Sequence, residues 1–127
     1  MKTRFTVALA MFAGFGLGTV AVQGLHAQAN PPVYSVAEID VLDQAAFATY
    51  VPTAQAAIKA AGGKILVAGG KITAADGDPP KSRVVIQQWD SLEKFQAYRN
   101  SAAFTDLLPI REKAAKFHTF LVEGVPQ

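Results

Sequence analysis

The chain has 127 residues, room for one domain, with 12 Lys and Arg against 10 Asp and Glu and no cysteine. Without cysteine, thiol catalysis, iron–sulfur clusters and cysteine-based zinc sites are excluded, and no disulfide framework can brace the fold. Setting Lys2 and Arg4 aside leaves bases and acids equal in number, with no basic stripe to mark a nucleic-acid partner.

Lys2 and Arg4 stand before an apolar run from Phe5 to Val22, and Ala27 and Ala29 then supply the small-x-small pattern that a signal peptidase reads. Residues 1–29 are therefore expected to be a cleaved export signal, which makes the protein periplasmic or secreted, without a stable membrane partner. An uncleaved anchor is the alternative, since the run is long enough to suggest a span, but Gly14, Gly16 and Gly18 speak for the signal. Asn30-Pro31-Pro32 makes residues 30–33 a short stiff linker.

Val33–Val41 alternates as a strand, with Val33, Ala37, Ile39 and Val41 on one face and Tyr34, Val36, Glu38 and Asp40 on the other. Asp43 is placed to cap a helix carrying Phe47, Tyr50, Val51, Ala54, Ile58 and Ala61, with a kink or restart expected at Pro52. Gly62-Gly63 ends that helix, because glycine takes the left-handed conformation of a helix terminus without steric cost. A second strand, Lys64–Ala68, runs into Gly69-Gly70, and Lys71–Thr73 is a candidate extension beyond a bend.

Asp76-Gly77 and Pro79-Pro80 mark a loop. The third strand, Lys81–Trp89, sets Val84 and Ile86 against Arg83, Val85, Gln87 and Trp89, and the first pair is expected to face the helices. Asp90-Ser91-Leu92-Glu93 resembles a capping box ahead of Phe95 and Tyr98. After a break at Asn100-Ser101 come Phe104, Leu107, Leu108 and Ile110, and Lys116–Glu123 is the last strand.

This order is β-α-β-β-α-β. It predicts an α+β, ferredoxin-like fold, a four-stranded antiparallel sheet with helices on one face. Tyr34, Val36, Phe120 and Val122 then leave the second face partly apolar, with no residues remaining to cover it. A second copy of the chain is the expected cover, in a sheet-to-sheet homodimer.

Tyr34–Asp43, GGKILVAGG, Pro80-Lys81-Ser82-Arg83-Val84-Val85, Ala97-Tyr98-Arg99-Asn100-Ser101, Leu107-Leu108-Pro109-Ile110-Arg111 and Val122-Glu123-Gly124 resemble the family called domain of unknown function 1330. The resemblance covers residues 34–124. It implies a dimeric α/β barrel, a group that includes small monooxygenases, muconolactone-isomerase-like enzymes and haem proteins, and it hands over no mechanism.

The chemistry is sparse. Gly62-Gly63 and Gly69-Gly70 match neither a P-loop nor a dinucleotide fingerprint, and no G-x-S-x-G is present, so no cofactor is implied. His118 is the one histidine after the leader, too few for a metal site. It is expected to be a strand histidine paired with a neighbour, with a role as proton carrier the sharper alternative.

Arg83 is suited either to clamping a ligand carboxylate or to pairing with Glu38 or Asp40. The family resemblance adds Tyr98, Ser101 and Arg111 as candidates for a pocket mouth. Their structural roles would be a core phenol, a helix cap and a solvated or paired cation. The open functions are a pocket between sheet and helices that binds a small organic ligand, the same pocket with cofactor-free oxidation or isomerisation, and a non-catalytic structural or stress-related envelope protein.

Overall fold

The computed structural model describes residues 31–126. The expected export signal and the start of the linker lie outside the described residues. Strand β1 (Val33–Val41) leads to helix α1 (Gln44–Ala60), and β2 (Lys64–Ala68) and β3 (Arg83–Trp89) follow. Three short helices, α2 (Leu92–Arg99), α3 (Ala102–Thr105) and α4 (Leu108–Ala114), precede β4 (Ala115–Glu123). The sheet order is β2-β3-β1-β4 with every pairing antiparallel, which is the ferredoxin-like α+β topology.

Local chemistry accounts for the ends of α1. The Asp43 carboxylate accepts the Ala46 N–H at 3.0 Å, and the chain leaves through Gly62 at φ +100°. There the Gly63 N–H donates to Ile58 and the Gly62 N–H to Lys59, the paired bonds that close a glycine-ended helix. Pro52 lies inside α1 without ending it, contrary to the expected restart. The buried stripe Phe47, Tyr50, Ala54 and Ile58 holds the helix to the sheet on both sides of the proline, whose own ring is exposed. Lys71–Thr73 forms no strand, so the second strand ends at Ala68.

Strand β3 is turned over relative to expectation. Arg83, Val85, Gln87 and Trp89 do share a face, but that face is the one under the helices, and Val84 and Ile86 point away from them. Trp89 decides the matter. Its ring is 1 % exposed, stacks on Tyr98 at 5.3 Å and meets Phe95 edge-on at 5.7 Å, and its N–H donates to the Gln87 side chain at 3.0 Å. The largest apolar group on the strand is thus buried with its one polar atom satisfied.

The helix side holds two neighbouring clusters. Ile58, Trp89, Phe95, Tyr98 and Phe104 pack at one end, and Ala37, Ile39, Phe47, Tyr50, Ala54, Ala114 and Ala115 at the other. On the opposite side of the sheet, Val67, Ile86, Val36 and Phe120 lie in register across all four strands.

Candidate functional site

Between the helices and the inner sheet face lies a cavity of about 80 Å³. Its apolar wall includes Phe47 and Ala54 of α1, Phe95 of α2, Phe104 of α3 and Phe117 of β4. Polar groups reach it from several elements: Ser35 from β1, Gln55 and Tyr50 from α1, Arg83 and Gln87 from β3, and Thr119 from β4. Tyr98 and Arg99 come from the end of α2 and Arg111 from α4. A broader cleft of about 430 Å³ shares Phe95, Arg99, Arg111, Phe117 and Thr119 with the cavity and continues to Phe120 and Leu121 at β4, an edge strand.

Three guanidinium groups are the main charges of this site, and no acidic side chain lines it. Arg83 sits over the Phe47 ring at 5.4 Å and donates through Nη2 to the Ala68 carbonyl at 3.0 Å. Its packing requires Gly69, at φ +74°, since a β-carbon there would strike the guanidinium. Arg111 lies 3.7 Å from the Phe117 ring centre and 5.3 Å from that of Phe104. Arg99 stands over the same Phe104 ring at 4.6 Å and over Phe95 at 5.1 Å. Aromatic faces offset part of the cost of these charges, by about 0.5–2 kcal/mol each. The Nε atoms of Arg83 and Arg111 are nonetheless buried without a hydrogen-bond partner.

The titration behaviour follows from this setting. Burial raises the Tyr98 phenol from 10.0 to about 12, with Tyr50 adding to the shift and Arg99 and Arg111 opposing it. Tyr98 is therefore a neutral hydrogen-bond donor at any physiological pH. Burial, and then the charge of Arg111, lower the Arg99 pKa from its ordinary value.

Arg83, Tyr98 and Arg111 thus come together, and two of the five candidate residues fall elsewhere. Ser101 precedes α3 without capping it through its side chain, and its hydroxyl donates back to the Tyr98 carbonyl at 2.6 Å. It does not line the cavity. His118 is on the opposite sheet face, its side chain 79 % exposed, with Nδ1 3.5 Å from a Glu38 carboxylate oxygen. It is the strand histidine paired with a neighbour, and a part as proton carrier in the cavity is ruled out by the intervening sheet.

The alternative pairing of Arg83 with Glu38 or Asp40 is likewise overturned. Glu38 lies across the sheet, opposite Val84 and His118, and Arg83 has no ion pair among the described residues. Arg111 has none either.

Sequence reasoning missed Arg99 and Tyr50. The available signal was spacing: Arg99 is one turn beyond Phe95, and Tyr50 one turn beyond Phe47, so each follows a core ring on its helix. Among the described residues, no group of three His, Cys, Asp or Glu side chains is placed to hold a metal ion.

Solved structures with the same fold include a protein of unknown function from Rhodopseudomonas palustris, at 17 % identity and TM-score 0.54, covering 77 % of this chain and 84 % of that one. SnoaB, a cofactor-independent oxygenase from Streptomyces nogalater, is 16 % identical at TM-score 0.57, covering 76 % and 96 %. A dimeric ferredoxin-like protein of unknown function from Thermobifida fusca is 11 % identical at TM-score 0.52, covering 75 % and 92 %. Such distant likeness establishes the fold alone. No curated protein matches the chain. Residues 32–125, most of the sequence, match the model of one family, and the protein belongs to it: the domain of unknown function DUF1330.

Proposed function

We infer that the protein binds a small organic molecule in the cavity between its sheet and helices. The observation that carries this reading is the convergence of polar side chains from α1, β3, α2 and α4 on an apolar hollow, with the Nε atoms of Arg83 and Arg111 left without a partner. A core built only for stability would fill that hollow and leave no buried guanidinium nitrogen without a partner. The working unit in this reading is an exported homodimer. The outer row Val67, Ile86, Val36 and Phe120 supplies a face for the second copy, with Phe120 45 % exposed and Val122 48 %. The Thermobifida fusca neighbour, described as dimeric, supports a dimer without saying which face pairs.

Native mass spectrometry of the protein from its own host tests both parts in one spectrum, with a dimer mass and a retained small ligand expected. An unliganded species whose melting temperature no member of a metabolite panel shifts would count for the non-catalytic envelope role instead.

Cofactor-free oxidation is a second reading, favoured by the likeness to SnoaB and by the donor-rich wall. Guanidinium and phenol donors suit an oxyanion that develops on a bound substrate. The same wall weakens the isomerase reading, which needs a proton acceptor, because no carboxylate or imidazole lines the cavity and Tyr98 holds its proton. Oxygen uptake by the purified protein with acidic phenols or enols checks this reading, and no uptake would remove it.

A further inference from the structure

We propose that the ligand is a small organic monocarboxylate, its acid group held by Arg99 and Arg111 and its apolar part seated among Phe95, Phe104 and Phe117. This rests on the reading of the cavity as a ligand site and adds the chemical class.

Charge points to the acid group. Arg99 and Arg111 both approach the Phe104 ring, at 4.6 and 5.3 Å, so two cations occupy one apolar neighbourhood. Neither has an ion-pair partner among the described residues, and no Asp or Glu lines the cavity. Like charges gathered in a half-buried place raise each other's free energy, which an arriving anion reverses. The buried Nε–H of Arg111 has no acceptor, and a guanidinium fork matches a carboxylate with two parallel hydrogen bonds. Tyr98, neutral up to about pH 12, is a further donor to an anionic oxygen and does not compete as a base.

Size and polarity point to a small organic body. The enclosed space is about 80 Å³, against ~150 Å³ for an apolar cavity that holds benzene. A branched chain of about four carbons fits that scale, with its head in the wider cleft that the same two arginines border. An inorganic anion would leave the aromatic wall facing water. Arg83 stands apart from the pair. It shares a cross-strand row with Ile39 and Phe117, two strand spacings or roughly 10 Å from Phe117 at the backbone. Its guanidinium is committed to the Ala68 carbonyl of β2, so the acid group is assigned to the other two arginines.

The test is calorimetric titration of the full chain with isovalerate and with its neutral isostere isovaleramide. Isovalerate is expected to bind at least tenfold tighter. Arg99→Met and Arg111→Met, which keep an apolar stem over the rings, should each remove that advantage while leaving amide binding in place, so retained amide binding also reports that the variants fold. Arg111→Lys should keep part of the preference, through charge without the fork. Equal binding of acid and amide would overturn the carboxylate assignment and leave the ligand site standing. Failure of both probes, and of isobutanol as a smaller neutral filler, would overturn the ligand site as well. Displacement of isovalerate by equimolar inorganic phosphate would overturn the organic part of the assignment.

Discussion

Both faces of the sheet carry apolar side chains and treat them in opposite ways. Under the helices, Trp89, Val33 and Ile39 are buried, and the side chains that remain polar gather around a hollow. On the outer face, Phe120 and Val122 stay exposed beside the Glu38–His118 pair. Apolar content therefore does not tell which face is the core. What distinguishes them is the fate of the polar groups: inside they are held by rings and by the backbone, and outside they meet water.

The largest expected effect breaks the inner face. Trp89→Ala should cost about 3–5 kcal/mol in urea-unfolding experiments, whereas Phe120→Ala should leave the unfolding of the isolated protomer nearly unchanged and loosen the proposed dimer in sedimentation. Equal losses from the two changes would erase the distinction between the faces. Gly69→Ala should follow at roughly 1–2 kcal/mol, since an L-residue is strained at φ +74° and the new methyl displaces Arg83.

Next comes a pH effect confined to the inner face. The folded-state pKa of Tyr98 lies above its unfolded value, so its contribution is fully present below pH 10 and lost as pH rises through about 12. Stability should fall across that window by up to ~1.4 kcal/mol per pH unit, and Tyr98→Phe should flatten this limb relative to the parent in melts recorded at each pH. The smallest effect belongs to the outer face: Glu38→Gln should change stability by less than about 1 kcal/mol, because an exposed pair at 3.5 Å is screened by water. A larger loss would mean that the pair is covered in the assembled protein.

The succession of elements along the chain and the ends of α1 were legible because each depends on local chemistry. Asp43 caps where a carboxylate precedes an apolar periodic run, and Gly62 ends the helix where a left-handed residue is needed. Ser91 also caps α2 by accepting from the Lys94 N–H, although the Glu of the suspected capping box is one position too early for the return bond. The direction of β3 was not legible. Val84 and Ile86 look as suited to a core as Val85 and Trp89, and only the docking of the indole against Tyr98 and Phe95 separates them.

The site was half legible for a related reason. Arg83, Tyr98 and Arg111 converge, but His118 and Ser101 were attractive for their chemistry alone, and strand phase and local hydrogen bonding placed them elsewhere. Pro52 teaches the converse lesson. A residue that disfavours helix in isolation is carried through when buried neighbours on both sides hold the segment.

Phe120 belongs to the exposed face and also borders the cleft beside Arg99 and Arg111. A partner laid across that face would stand at the doorway of the cavity. Occupancy and assembly would then be thermodynamically linked: whatever factor dimerisation applies to ligand affinity, the ligand must return to the dimerisation constant. The edge of one strand would in this way act as a gauge, letting protein concentration be read as ligand retention.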